Sequence, residues 1–120
     1  MYGKVQIGDK TVEMLSNAAS PVFFKQVFHE DFLLVSRRMV DEQDEAVKDA
    51  TASDIFVRMG FIMAMQASKK QADLYKIGYQ DFYTWMEQYE PDDILMAVND
   101  IALLYKGQEV PSSVPKQTGD

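Results

Sequence analysis

The chain has 120 residues, 47% hydrophobic and 26% charged, the balance of one globular domain that buries most of the surface its unfolded form exposes, so a disordered polypeptide is excluded. Nineteen acidic residues face twelve basic ones, a net charge of −7, and no Lys/Arg stripe with interleaved aromatics offsets that repulsion of phosphate backbones, so nucleic acid is not an expected partner. The absence of cysteine excludes disulfides, iron–sulfur clusters and thiolate metal sites and fits a reducing compartment.

The first residues, MYGKVQIGDKTVEML, have neither a basic start nor an apolar signal core, so a cytosolic protein is expected. Within them KVQI and TVEML alternate apolar and polar residues around Gly8-Asp9-Lys10. This predicts a β-hairpin over about residues 4–15, with Val5, Ile7, Val12 and Met14 on one face. A lone hairpin is marginal in water, so it must pack on helices or pair with another chain. Ser20-Pro21 reads as a hydroxyl cap followed by a pre-set first helical position, opening a short helix whose Phe24, Val27 and Phe28 share a face with Phe23 at the margin. After His29-Glu30-Asp31, FLLVSRRMV predicts a second short helix with Phe32, Leu33, Val35, Met39 and Val40 as apolar candidates.

An acidic stretch, DEQDE at residues 41–45, leads to the longest apolar run, IFVRMGFIMAMQA at residues 55–67. At about 100° per residue, Ile55, Phe56, Met59, Ile62, Met63 and Ala67 fall on one side of a helix, and Val57, Phe61 and Met65 form a second stripe opposite. A helix apolar on two sides requires two neighbours. Ser53 is the expected N-cap, with Asp54 in the first turn where the dipole favours a negative charge. The run contains Arg58 and is far shorter than the roughly 20 apolar residues of a bilayer span, so it predicts a core helix.

Residues 68–78 are polar apart from Leu74, Tyr75 and Ile77 and read as a connection with little regular structure. Helix returns over residues 80–88, with Phe82, Trp85, Met86 and Tyr89 on one face and Tyr83 beside it. Glu90-Pro91-Asp92-Asp93 opens the last helix, whose predicted buried stripe is Ile94, Val98, Ile101, Ala102 and Tyr105, and Gly107 is its stop signal. The expected architecture is a mainly α domain, residues 1–107, of about five helices with an N-terminal hairpin, followed by a flexible tail at residues 108–120.

No constellation for chemistry emerges. His29 is the only histidine, so a zinc site would be carboxylate-dominated, and a helix-end role is the simpler reading. Asp41, Glu42, Asp44 and Glu45 lack the glycine turn and closing glutamate of a calcium loop, and Asp92 and Asp93 are explained by the positive end of a helix. Ser20, Ser36 and Ser53 have no base at a suggestive spacing. Catalytic, cofactor-binding and metal residues are therefore assigned to none. The aromatic and methionine residues off the main faces, Phe23, Val57, Phe61, Met65 and Tyr83, suggest a surface that holds apolar segments of a partner or of another copy; the alternative is a compact core that covers them.

Residues 2–33, including the opening hairpin and the Asn-Ala-Ala-Ser-Pro link into Phe-Lys-Gln-Val-Phe, and residues 81–109, including Phe-x-x-Trp-Met-Glu-Gln-x-Glu-Pro and a helix ending Leu-Tyr-Lys-Gly, together resemble the tail assembly chaperones of long-tailed phages and prophages of Gram-positive bacteria. The resemblance spans most of the chain in order. It implies a non-enzymatic protein of the bacterial host cytoplasm that binds the tape measure protein, keeps its apolar surface from aggregating, helps recruit tail tube subunits, possesses a capacity to self-associate and leaves before the virion is complete. It also implies a longer frameshifted form, for which the segment after Gly107 is the natural junction. The alternative from the residues alone is a small acidic regulatory adaptor, of antitoxin or anti-activator type, that masks a cytosolic target.

Overall fold

The structure is a computed structural model and describes residues 1–108 and Val110. Its elements in order are β1 (Tyr2–Ile7), β2 (Lys10–Leu15), α1 (Ser20–Phe28), α2 (Phe32–Asp41), α3 (Glu45–Ser68), α4 (Gln71–Leu74), α5 (Tyr79–Met86) and α6 (Pro91–Tyr105). Among the described residues the fold is mostly helical with one N-terminal two-stranded antiparallel sheet, the predicted class with one helical turn more, α4.

The hairpin pairs Val5 with Val12 and Ile7 with Lys10 across the two-residue turn Gly8-Asp9. Gly8 has φ +62°, the left-handed conformation that a tight hairpin turn demands at its first central position. Alternation then does the sorting. Val5, Ile7 and Met14 are buried with Val12 half-buried, while Lys4, Gln6, Thr11 and Glu13 face outward. The buried face lies on α3 and α6. A Cβ on Gly3 would stand 2.8 Å from Leu104 Cδ1, and one on Gly60 would stand 2.8 Å from Ile101 Cδ1, so both glycines let α6 close onto its neighbours.

Helix α3 is the spine, and it has neighbours on more than one side, as its opposite stripes require: β2, α6, α1, α2 and α5. It begins earlier than Ser53, however. The carboxylate of Asp44 accepts the Val47 N–H at 3.1 Å, and the helix runs 24 residues, about 36 Å, from there. Residues 46–52 contain no glycine or proline to break it, so Ser53 is an interior position.

Ser20 also differs from its expected role. Ala19 occupies the cap position of α1 without a side-chain bond, and the fully buried Ser20 donates to Gln66 Oε1 at 2.6 Å. Gln66 in turn donates to Asn17 Oδ1 at 3.0 Å, which also accepts the Ala19 N–H at 2.9 Å. This closed polar triangle ties the entry of α1 to the C-terminal part of α3 with its groups satisfied. Asp31 caps α2 by accepting the Leu33 and Leu34 N–H groups.

The last helix ends as Gly107 predicts. With φ +78° at Gly107, its N–H donates to the Leu104 carbonyl at 3.0 Å and the Gln108 N–H to the Leu103 carbonyl at 2.9 Å, a Schellman closure. Its buried stripe is Ile94, Ala97, Ile101 and Leu104, with Val98, Ala102 and Tyr105 half-buried. The expected tail, residues 108–120, lies outside the described residues apart from Gln108 and Val110. Val110 is only 2% exposed and belongs to the core, so the packed chain extends past the expected boundary at 107. The connection at residues 68–78 is likewise more ordered than expected: it contains α4, and Leu74 and Ile77 are buried.

Candidate functional site

The five residues proposed as a partner surface do not converge on one. Phe61 is fully buried and Val57 nearly so. The stripe they belong to is covered because α1 and α5 close over it. Phe61 meets the rings of Phe28 at 6.3 Å, Phe82 at 5.4 Å and Trp85 at 5.7 Å. Both are core residues, the reading in which the domain covers them. Phe23 is also buried, although it reaches a wall of a surface groove. Met65 is half-buried in a different groove, between β2 and α5. Tyr83 alone is open, at 61% exposure, with its ring 5.3 Å from that of Tyr79.

Exposed apolar side chains occur on α6 at Leu95 and Met96, around Tyr75, Tyr79 and Tyr83, and as a further set on α1 and α2 beside a groove. On α1, Phe23, Phe24, Val27 and Phe28 turn inward, which leaves Val22 outward at 64% exposure. On α2 only Phe32 and Val35 are buried, and Leu33, Leu34 and Val40 are exposed at 67%, 59% and 64%. Their spacing sets Leu33, Arg37 and Val40 in one stripe, with Leu34, Arg38 and Asp41 beside it. A groove of about 600 Å³ runs between the two helices and contains Val22, Lys25, His29 and Leu33. A second groove, of about 440 Å³, shares Val22 and continues to Phe23, Leu74 and Tyr75. The α4 wall of that second groove is fixed by Gln26, which donates to the carbonyls of Leu74 at 2.9 Å and Ile77 at 3.2 Å.

This surface had a signal in the sequence. FLLVSRRMV carries apolar residues on more sides than one neighbouring helix covers, the same argument that assigns two neighbours to α3. The outward α1 and α2 positions are also basic. Lys25, Arg37 and Arg38 are exposed, and none forms an ion pair among the described residues. The acid that lines the first groove, Asp31, directs its carboxylate to the start of α2. The half-buried cation Arg58 is structural. Arg58 pairs with Glu30 at 2.7 Å and Asp54 at 2.8 Å and lies over the rings of Phe24 and Phe28 at 5.0 and 5.2 Å.

The groups considered for chemistry have local roles. His29 terminates α1 in the left-handed region, φ 58°, and its N–H donates to the Lys25 carbonyl. Glu42 accepts the N–H groups of Gln43 and Asp44, and Asp44 caps α3. Asp92 and Asp93 lie in the first turn of α6. Among the described residues no three His, Asp or Glu groups are placed to hold a metal ion, and no helix is long and apolar enough to cross a membrane.

The fold and surface together define a small helical protein with an unburied apolar face. Comparison with protein-family models, with curated proteins and with solved structures finds no significant match.

Proposed function

We propose that the chain is a non-catalytic binding protein of the tail assembly chaperone type, which holds apolar helical segments of the tape measure protein in solution while the tail is built. The observation that carries this reading is the α1–α2 surface, where Val22 and Leu33 line a groove of about 600 Å³ and Leu34 and Val40 are exposed further along α2, each of the four more than half exposed. Apolar side chains gathered on one face and left open to water are the surface an amphipathic helix recognises. Their rigid support fits the role. The rings of Phe24 and Phe32 meet at 5.1 Å beneath the two helices, so the face is presented on a packed base. The host cytoplasm, contact with the tail tube protein and departure before virion completion belong to the same reading.

The test is co-expression with the tape measure protein of the phage or prophage that encodes the chain, followed by affinity capture. Support is a long partner that stays soluble and co-purifies only when this chain is present. A partner equally soluble alone, with nothing captured, overturns the reading.

A further inference from the structure

We infer that the α1–α2 face selects apolar helices with acidic flanks, against the sign of the whole chain. The inference deepens the binding reading above and rests on it. With a net charge of −7, complementarity at the level of the molecule favours a basic partner. The exposed apolar strip nevertheless carries three cations that no ion pair occupies among the described residues. Leu33 and Val40 bracket Arg37, Leu34 lies next to Arg38, and Lys25 stands on the facing wall with Val22.

Two features keep these cations available. None of the three is engaged by a carboxylate among the described residues, and the two acids close to the groove are already committed. Asp31 accepts two N–H groups at the start of α2, and Glu30 pairs with Arg58 at 2.7 Å. Asp31 at the start of the strip and Asp41 at its end are both exposed, and the acidic residues 42, 44 and 45 follow. An apolar helix that carried glutamates or aspartates beside its stripe would seat its side chains on Val22, Leu33 and Val40 and its carboxylates on Lys25, Arg37 and Arg38. A basic-flanked helix would meet like charges at the same positions, which is the discriminating element.

The experiment titrates the full chain with two fluorescent synthetic helices that share one leucine stripe, flanked by glutamates in one and by lysines in the other. The glutamate-flanked peptide is expected to bind about tenfold more tightly at low salt, since three exposed contacts change from attraction to repulsion, and the gap is expected to shrink as salt is added. The double substitution Arg37→Glu/Arg38→Glu, at exposed positions that leave the core untouched, should reverse the order. Equal binding of the two peptides by the unaltered chain, or tighter binding of the lysine form, overturns the inference without reference to any variant. A mass that grows with concentration and is abolished by the same double substitution also overturns it, because a second copy then covers the face. If the double variant still keeps the tape measure protein soluble, the docking face is wrong and the chaperone reading stands. If the unaltered chain selects the acidic peptide but leaves the tape measure protein insoluble, the face stands and the chaperone reading fails.

Discussion

Phe61 joins three elements, because its ring meets Phe28 from α1 and Phe82 and Trp85 from α5 while its own backbone belongs to α3. Truncation removes contacts that no nearby side chain replaces, so Phe61→Ala is expected to lower unfolding stability by about 3–5 kcal/mol, read from chemical denaturation. A loss below about 1 kcal/mol would contradict its place in the core. His29 offers the opposite case. Its φ of 58° is a conformation that an L side chain occupies at a cost of about 1–2 kcal/mol and glycine occupies freely. Glycine gives back part of this gain through a looser unfolded chain, so His29→Gly is expected to raise stability by about 0.5–1 kcal/mol. The same substitution removes the only histidine, so unchanged partner binding in this variant would place His29 in the role of a helix stop.

At the scale of elements, the start of α3 gives a clean contrast. Asp44 supplies the carboxylate that caps it, and Ser53 lies inside it, so Asp44→Ala should cost about 1 kcal/mol while Ser53→Ala should stay within about 0.5 kcal/mol of neutral. Equal costs, or a larger one at Ser53, would return the helix start to the later position. That start is hard to read from the sequence for a physical reason. The turns from Glu45 to Ser53 have little buried surface, so no apolar period marks them, and the end is set by capping and the lack of breakers. Where burial decides the structure, the sequence is legible: the hairpin alternation, the opposite stripes of α3 and the Gly107 stop all appear in the fold. The candidate site is legible only in part. Apolar period marks which residues are aligned, but which stripe stays uncovered depends on tertiary packing. Phe61 and Leu33 therefore look alike in sequence, and only the approach of α1 and α5 separates a core ring from an exposed side chain.

For the whole molecule, stability should fall in alkali, and the sign follows from three tyrosines. Burial raises Tyr89 and Tyr105 above the ordinary 10.0, and Tyr2 is raised first by its hydrogen bond to Glu13, then by burial and the Glu13 charge. Each folded-state value lies above the unfolded one. The native state therefore keeps protons that the unfolded chain has lost, and stability present below about pH 10 declines as pH rises through the raised values. The two half-buried rings also hold separate regions. Tyr89 packs on Trp85 at 5.1 Å just before α6, and Tyr105 packs on Phe32 at 4.9 Å at its end, so ionisation loosens both ends of the helix that closes the hairpin onto α3. Alkali also makes a chain of net charge −7 more negative, which destabilises the compact state independently. The discriminating measurement is the denaturation midpoint from about pH 9 to about pH 11 for the unaltered chain and for Tyr89→Phe/Tyr105→Phe. The double variant should show the shallower decline. Parallel curves would assign the alkaline loss to the net charge and leave the two tyrosines without a part in it.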